Sequence, residues 1–495
     1  MCKINNCDIF KREKLRVNIE LIMNVMLIVV DSLRHDNSKI LERQLEKFGF
    51  YSYSNVISPA SWTTPSHASI FTGLYPSSHS VHEKGLNNSW INYILNSKAK
   101  SYLFTKTLKR LGYKLFLISA NPLISRLFGY DNFDEYLEIN RLKGFIFRLS
   151  VEDDRRLRML MTKYRSKVKV FSYLLKRGEI GFLAKSCLYS LSKRIWNYFI
   201  PFRYLYSLFT RWPLEKGSNN IVNYVRHRVL YDRTDRKFVF INFMEVHEPY
   251  LLDMSFSKEA AKSFKNQSVN TKKFSLWKRK YSEACNYISN KVSDLLQTME
   301  EANLLDKYLI IITSDHGQLL GEYSKVGHGY YLYDELLKVP LFIRYPKQIE
   351  ESISLMDHPS QERYISLVKL KPFIIQFLGN SNERYTDKIL YTTATFAESF
   401  GIHIDLKFKS EKEIERVEKS VRYRIAVYHN GYKAVFKVSK LKTLELDHEF
   451  LDKKYHKLLS DGELRKIQDT AYKFIKIRKL LAKVGSINIS STLSH

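Results

Sequence analysis

Cysteine is scarce in this 495-residue chain, with Cys2, Cys7, Cys187 and Cys285 its only four. They are too scattered for a disulfide framework, and apart from a weak Cys2/Cys7 pair none has zinc-ligand spacing. Free thiols in a reducing compartment are the expectation. Glycine (18) and proline (11) are sparse as well, and no low-complexity tract occurs, which argues against long disordered regions. Long apolar runs are also missing. Residues 21–30 are mostly apolar and follow basic residues, but ten residues cannot span a bilayer. No small-residue cleavage site follows, and Asp31 closes the run. A buried strand is expected there, with residues 1–22 an N-terminal extension and Met23 a candidate start. The protein is expected to be cytoplasmic, or peripheral at the membrane.

What the chain has in excess is positive charge: 80 Lys and Arg against 51 Asp and Glu, a net +29. Such a field favours anionic partners without choosing among them. Residues 141–212 concentrate it, with 17 Lys or Arg against 4 Asp or Glu. Aromatic and leucine side chains are interleaved there, as in SLSKRIWNYFIPFRYLYSLFTRW. This reads as a helical insertion. Its basic residues are either the solvated face of a cap on the core or part of a patch that docks on anionic membrane. Nucleic acid is not the expected partner, because no recognised nucleic-acid module accompanies the patch.

MLIVVDS (26–32), KLFLISAN (114–121), KFVFINFMEVH (237–247) and YLIIITSDHG (308–317) are continuous apolar runs ending in polar residues. Runs of this kind are strands buried on both faces, the habit of a parallel sheet covered by helices. Helical stretches at 41–48 and 281–303 lie between them, so the fold class is α/β, a mostly parallel central sheet flanked by helices. A small C-terminal α+β subdomain is expected over 381–460, with a hairpin at 422–440 around HNGYK. A helix is expected at 366–379, and a basic helix with a polar tail fills 461–495.

In open α/β sheets the working residues lie just past the strand carboxyl ends. Asp31, His247, Asp315 and His316 all fall there. The aspartates are hard oxygen ligands and His316 a borderline one, a set suited to a divalent cation. Residues 61–69 offer hydroxyls at Ser61, Thr63, Thr64, Ser66 and Ser69, ahead of a helix expected at 68–72. A hydroxyl at a metal loses its proton more easily and becomes a nucleophile. His247, His328, His67 and Lys325 are candidates to stabilise charge or protonate a leaving oxygen. Arg34 and Asp36 read as a structural pair.

The segment TTPSHASIFTGLYP resembles the sulfatase element in which Cys or Ser precedes x-P-x-R and then A-S-L-L-T-G-x-Y-P. LIVVDS, SDHG, GHG and KVPLFIRYP resemble further elements of that family, itself part of the alkaline-phosphatase superfamily. The resemblance covers about residues 24–380, within a catalytic domain drawn at 23–380. It implies Asp31, Asp315 and His316 as metal ligands and Thr63 as a metal-bound nucleophile. His247 would meet the leaving group, and Lys325 or His328 the substrate oxyanion. The cofactor implied is one divalent ion (Ca, Mn, Zn or Mg).

Three departures matter. Sulfatases convert the nucleophile-position Cys or Ser to formylglycine, and threonine is not a substrate for that conversion. Ser32 replaces an acid, and His67 replaces an arginine. A second metal is the alternative: His247 and His328 are available to it, but it needs a further Asp, and the helix around 281–292 offers only Ser289. The expected activity is hydrolysis of a sulfate or phosphate ester. Transfer of a phosphoryl group, in the manner of phosphoethanolamine or glycerophosphate transferases, and non-catalytic anion binding are the alternatives. The partner is an anionic ester substrate, carried on a glycan or a lipid.

Overall fold

The computed structural model describes residues 23–84, 90–139, 147, 149–350, 353–356, 362–378, 385–404, 406, 410–439, 443–447 and 460–490. Cys2, Cys7, the 1–22 extension, residues 141–146 of the insertion, Gly379 and the last five residues lie outside that set.

The strand Asn24–Val30 is buried along its whole length, and the side chains on its two faces enter different cores. Met26, Ile28 and Val30 pack with Tyr281, Ile288 and Val292 of the long helix Phe274–Glu301. Val25, Leu27 and Val29 pack with Ala68, Ile70 and Phe71 of the helix Thr63–Thr72. This period-2 division between two apolar layers is why the run is continuous in sequence.

The sheet has seven strands in the order Tyr51–Tyr53, Leu341–Arg344, Tyr308–Thr313, Asn24–Val30, Lys237–Phe243, Lys114–Ser119 and Glu135–Glu138. Asn24–Val30 pairs in parallel with Lys237–Phe243 and Tyr308–Thr313, and Lys114–Ser119 pairs in parallel with both its neighbours. Only the pairings of Leu341–Arg344 are antiparallel. Register sets Val30 beside Phe243, Val29 beside Thr313 and Ser119 beside Asn242. The chain therefore leaves four parallel strands at one edge, and that convergence builds the site.

A second, four-stranded antiparallel sheet is formed by Ala394–Ser399, Arg424–His429, Tyr432–Val438 and Leu444–Leu446. Its hairpin turns at Asn430–Gly431, where both residues have positive φ (49° and 81°), the conformation a two-residue hairpin loop needs. Ile467, Ala471 and Phe474 of the helix Asp461–Ser490 share a core with Ile425, Val427 and Phe436 of this sheet.

Helix boundaries differ from expectation at four places, the first being the helix expected at 41–48, which spans Lys39–Glu46. The helix expected at 281–303 begins at Phe274. The one expected at 366–379 opens as a 3-10 turn at Leu367–Lys369 and continues as Leu370–Gln376. The one expected at 68–72 begins at Thr63, with Pro65 in its first turn, where a missing N–H costs nothing. The insertion is four helices: Val151–Tyr164, Lys167–Lys176, Ile180–Tyr198 and Ile200–Thr210. Cys187 and Cys285 are free thiols.

Candidate active site

Asp31 follows the central strand directly and is fully buried. Its Oδ1 accepts from Ser32 Oγ at 2.9 Å, and its Oδ2 accepts from Asn121 Nδ2 at 2.7 Å. Asp315 stands two residues beyond Thr313, the end of the neighbouring strand. Its Oδ1 accepts from the Ser32 and His316 amides at 3.2 and 2.9 Å. Ser66 Oγ donates to the Asp315 carbonyl at 2.7 Å, which ties the Thr63–Thr72 helix to this loop. His316 gives Nδ1 to the Gly317 carbonyl at 2.8 Å, leaving Nε2 as the free ligand nitrogen.

Thr63 sits between these groups. Its Oγ1 lies 3.3 Å from Asp31 Oδ2 and 3.3 Å from His316 Nε2. The other hydroxyls of 61–69 are placed differently: Ser66 is on the Asp315 carbonyl, and Ser69 is on His79 Nε2 at 3.0 Å. Ser61 Oγ and Thr64 Oγ1 are buried with no hydrogen-bond partner.

Asp31, Asp315 and His316 form a buried group able to hold a metal ion, with ligand atoms all within 4.8 Å of one another. Asp315 Oδ2 tests the fit: it is buried, has no hydrogen-bond donor, and lies 3.4 Å from His316 Nε2. Two carboxylates and one imidazole with an unsatisfied oxygen among them suit a divalent cation. Burial and the adjacent Asp315 push the Asp31 carboxyl up. Burial opposes charge on Asp315 too, but His316 and His67 outweigh it and hold that carboxyl low.

His67 is buried beside this group, with Nδ1 3.0 Å from the Thr63 carbonyl and 3.4 Å from Asp315 Oδ2. Asn242 Nδ2 meets its Nε2 at 3.2 Å. A second cluster follows: His247, Glu248 and His328 are also able to hold a metal ion. His247 Nδ1 bonds the Glu248 carbonyl at 2.7 Å, and His328 Nδ1 bonds Gln318 Oε1 at 2.7 Å. The rings of His316 and His328 are 4.5 Å apart, so the two clusters adjoin. Burial works to lower His247, but Glu248 and Asp31 raise it. His328 is driven well below its ordinary value by burial and by His316, His247 and His403. Burial, His316 and His247 push His403 down to about 3. The two imidazoles of the cluster are thus shifted in opposite directions, His247 up and His328 down.

Lys325 Nζ is 3.2 Å from Asn266 Oδ1 and lies over the Tyr331 ring, 5.4 Å from its centroid. Ser289 donates to the Cys285 carbonyl within its own helix. Arg34 pairs with Asp36 at 2.6 Å and Glu322 at 3.0 Å, the structural role expected.

Sequence reasoning missed Glu248, Gln318 and Asn121. Glu248 and Asn121 lie in or beside runs singled out for other residues, MEVHEPY and KLFLISAN, and a polar residue at a strand end was the available signal. It also missed a buried group behind the site. Lys216 Nζ donates to the Glu245 carbonyl at 2.8 Å, and burial pushes this lysine down to about 8 against Glu245, Glu248 and Glu215.

Residues 23–380 match the family described as Sulfatase. The chain belongs to the sulfatase family. It is 28% identical over 133 residues to an N-acetylglucosamine-6-O-sulfatase of Bacteroides thetaiotaomicron, a match covering 25% of this chain and 23% of that protein. It is 28% identical over 98 residues to an ulvan-active sulfatase of Formosa agariphila, covering 20% and 15% respectively. The match thus spans less than a quarter of each curated relative. The structure is similar to a phosphonate monoester hydrolase from Silicibacter pomeroyi, with TM-score 0.58 and 15% identity over 92% of this chain and 95% of that one. The corresponding hydrolase of Agrobacterium radiobacter gives 0.56 and 14%, over 93% and 96%. These likenesses establish the fold, which the sulfatase resemblance implied.

Proposed function

We propose that this sulfatase-family protein is a metal-dependent hydrolase of phosphate or sulfate esters with Thr63 as its nucleophile. The observation that carries the reading is the position of Thr63 Oγ1, 3.3 Å from both Asp31 Oδ2 and His316 Nε2 beside the unsatisfied Asp315 Oδ2. One divalent cation held by Asp31, Asp315 and His316 would supply Lewis-acid polarisation of the ester and a lowered pKa for the threonine hydroxyl.

The chain's own residues do the rest. The helix Thr63–Thr72 presents its N-terminus, with free amides, where an anionic ester would lie. Thr63 Oγ1 loses its proton to solvent and attacks, forming a covalent threonine ester and expelling the leaving oxygen. His247, raised by Glu248 and Asp31, supplies the proton that oxygen takes up. His328, fixed by Gln318, contributes a hydrogen bond to the substrate, and His67 orients the Thr63 turn. Lys325 is left out of this set. Water then cleaves the threonine ester. A threonine ester cannot collapse to an aldehyde as a formylglycine hydrate can, which favours phosphorus over sulfur.

The relatives named for glycan sulfates support an anionic, glycan-borne substrate, and the basic surface supports a lipid-borne one equally. A reducing cytoplasmic location and chain divisions after residues 22, 380 and 460 are proposed with this reading. The test is turnover of aryl sulfate, phosphate monoester and phosphodiester substrates with Mn, Zn, Mg or Ca. Thr63→Ala should lower kcat by at least about 10³-fold on the substrate that works, and Thr63→Ser should keep measurable turnover. Full activity of Thr63→Ala would remove the nucleophile.

A further inference from the structure

The helical insertion has an outer face that nothing in the described chain covers. Among the described residues, 21 large hydrophobic side chains are exposed, and 14 of them lie between Met159 and Phe209. Single exposed leucines are ordinary, but a concentration of this size on one element marks an interaction surface.

The helix Ile200–Thr210 is inverted relative to a normal surface helix. Its Arg203 is 2% exposed, with Nη1 donating to the carbonyls of Trp196 at 2.6 Å and Asn197 at 3.0 Å. Ile200, Tyr204, Leu205, Leu208 and Phe209 recur at helical spacing on the opposite side, and Phe209 is 82% exposed. The helix Ile180–Tyr198 buries Leu183, Ser186, Ser192 and Trp196 while Leu188 and Leu191 face out. On Lys167–Lys176, the outward Val168, Phe171 and Leu175 alternate with exposed Lys169 and Lys176.

The helices Val151–Tyr164, Lys167–Lys176 and Ile180–Tyr198 line a groove of about 950 Å³. Its lining includes four cations, Arg158, Lys167, Lys193 and Arg194, against one carboxylate, Asp154. Arg158, Asp154 and Tyr189 also line a cavity of about 180 Å³ that reaches Asn121, the residue whose amide holds Asp31. The groove therefore adjoins a cavity lined by Asn121.

We propose that this insertion docks the protein on a bilayer containing anionic phospholipid. The apolar side chains of Ile200–Thr210 and Ile180–Tyr198 enter the headgroup layer, and the cationic groove takes lipid phosphates. The charge decides the partner: an apolar face among Lys and Arg is complementary to an anionic bilayer, whereas two copies of this face would bring like charges together. The proposal does not depend on Thr63 chemistry.

Flotation of the full chain with phosphatidylcholine vesicles, with and without phosphatidylglycerol, tests it. Binding is expected only with phosphatidylglycerol, falling as salt rises. Leu205→Glu/Phe209→Glu should weaken it at least about tenfold, because two carboxylates would have to enter the headgroup layer, with the melting curve unchanged. Should that variant melt early, Lys169→Glu/Lys176→Glu carries the same test from the charge side. No flotation of the wild type at low salt overturns the proposal, as does equal binding to neutral vesicles. Self-association abolished by the Glu variant, without vesicle binding, overturns it in favour of an interface between copies. Retention on an RNA probe but not on vesicles overturns it likewise.

Discussion

Asp334 ties the smaller sheet to the catalytic core, and removing it has a calculable cost. Lys433, in the strand Tyr432–Val438, is 1% exposed and places Nζ 2.6 Å from Asp334 Oδ1. Tyr428 donates to the same oxygen at 2.7 Å, and Lys338 Nζ lies 2.8 Å from Oδ2. In Asp334→Ala the Lys433 ammonium stays buried without its carboxylate, a loss of about 3–5 kcal/mol for breaking one side of a buried pair. Asp334→Ala/Lys433→Met removes both charges and should recover much of it. Burial would raise the Asp334 carboxyl, but Lys433 and Lys338 outweigh it and hold the group well below the usual carboxylate range. A depressed folded value means the stabilisation is complete above the unfolded carboxyl's pKa of about 4 and disappears as pH falls through the folded value. Urea unfolding at neutral and acid pH, with hydrogen exchange of the Arg424–His429 and Tyr432–Val438 amides, measures this. A loss under about 1 kcal/mol, the size of an exposed pair, would refute it. So would a double variant no better than the single one.

Three further outcomes are expected. Asn121→Ala frees Asp31 Oδ2 from its 2.7 Å donor and should weaken divalent-metal affinity about 10–100-fold by chelator competition; unchanged affinity would contradict the placement of Asn121. Gly317→Ala would drive a Cβ into the Glu335 carbonyl oxygen and the Arg34 side chain, costing about 1–3 kcal/mol in thermal or urea unfolding; a neutral result would mean that contact is loose. Burial pushes Glu83 up to about 7, although Trp62 Nε1 and the Phe400 amide donate to it. Because its folded value lies above its unfolded one, stability should fall as pH rises from about 4.5 through 7, and Glu83→Gln should flatten that slope.

How much was legible follows from which forces are local. The central strands were readable because both faces are buried, which turns Asn24–Val30 and Tyr308–Thr313 into unbroken apolar runs. Asp31, Asp315 and His316 were readable because an acid straight after such a run is a strand-end residue. The start of the Thr63–Thr72 helix was not, because Pro65 resembles a breaker when it actually occupies the first turn. Glu248 and Asn121 were missed for another reason. Each meets its partner across the sheet edge, and that neighbourhood depends on the register of Lys114–Ser119 and Lys237–Phe243 with the rest of the sheet. The insertion showed its charge and aromatics in sequence, but which side of Ile200–Thr210 faces out depends on Arg203 finding the Trp196 and Asn197 carbonyls.

In the proposed mechanism the ester's acid group is carried covalently on Thr63. The most direct measurement is an acid quench of the metal-loaded protein during turnover of a substrate labelled in its phosphoryl or sulfuryl group, followed by peptide mapping. Label is expected on the peptide containing Thr63, absent in Thr63→Ala and released on chase with unlabelled substrate. Turnover with label on no peptide, or on a peptide other than that of Thr63, would contradict it.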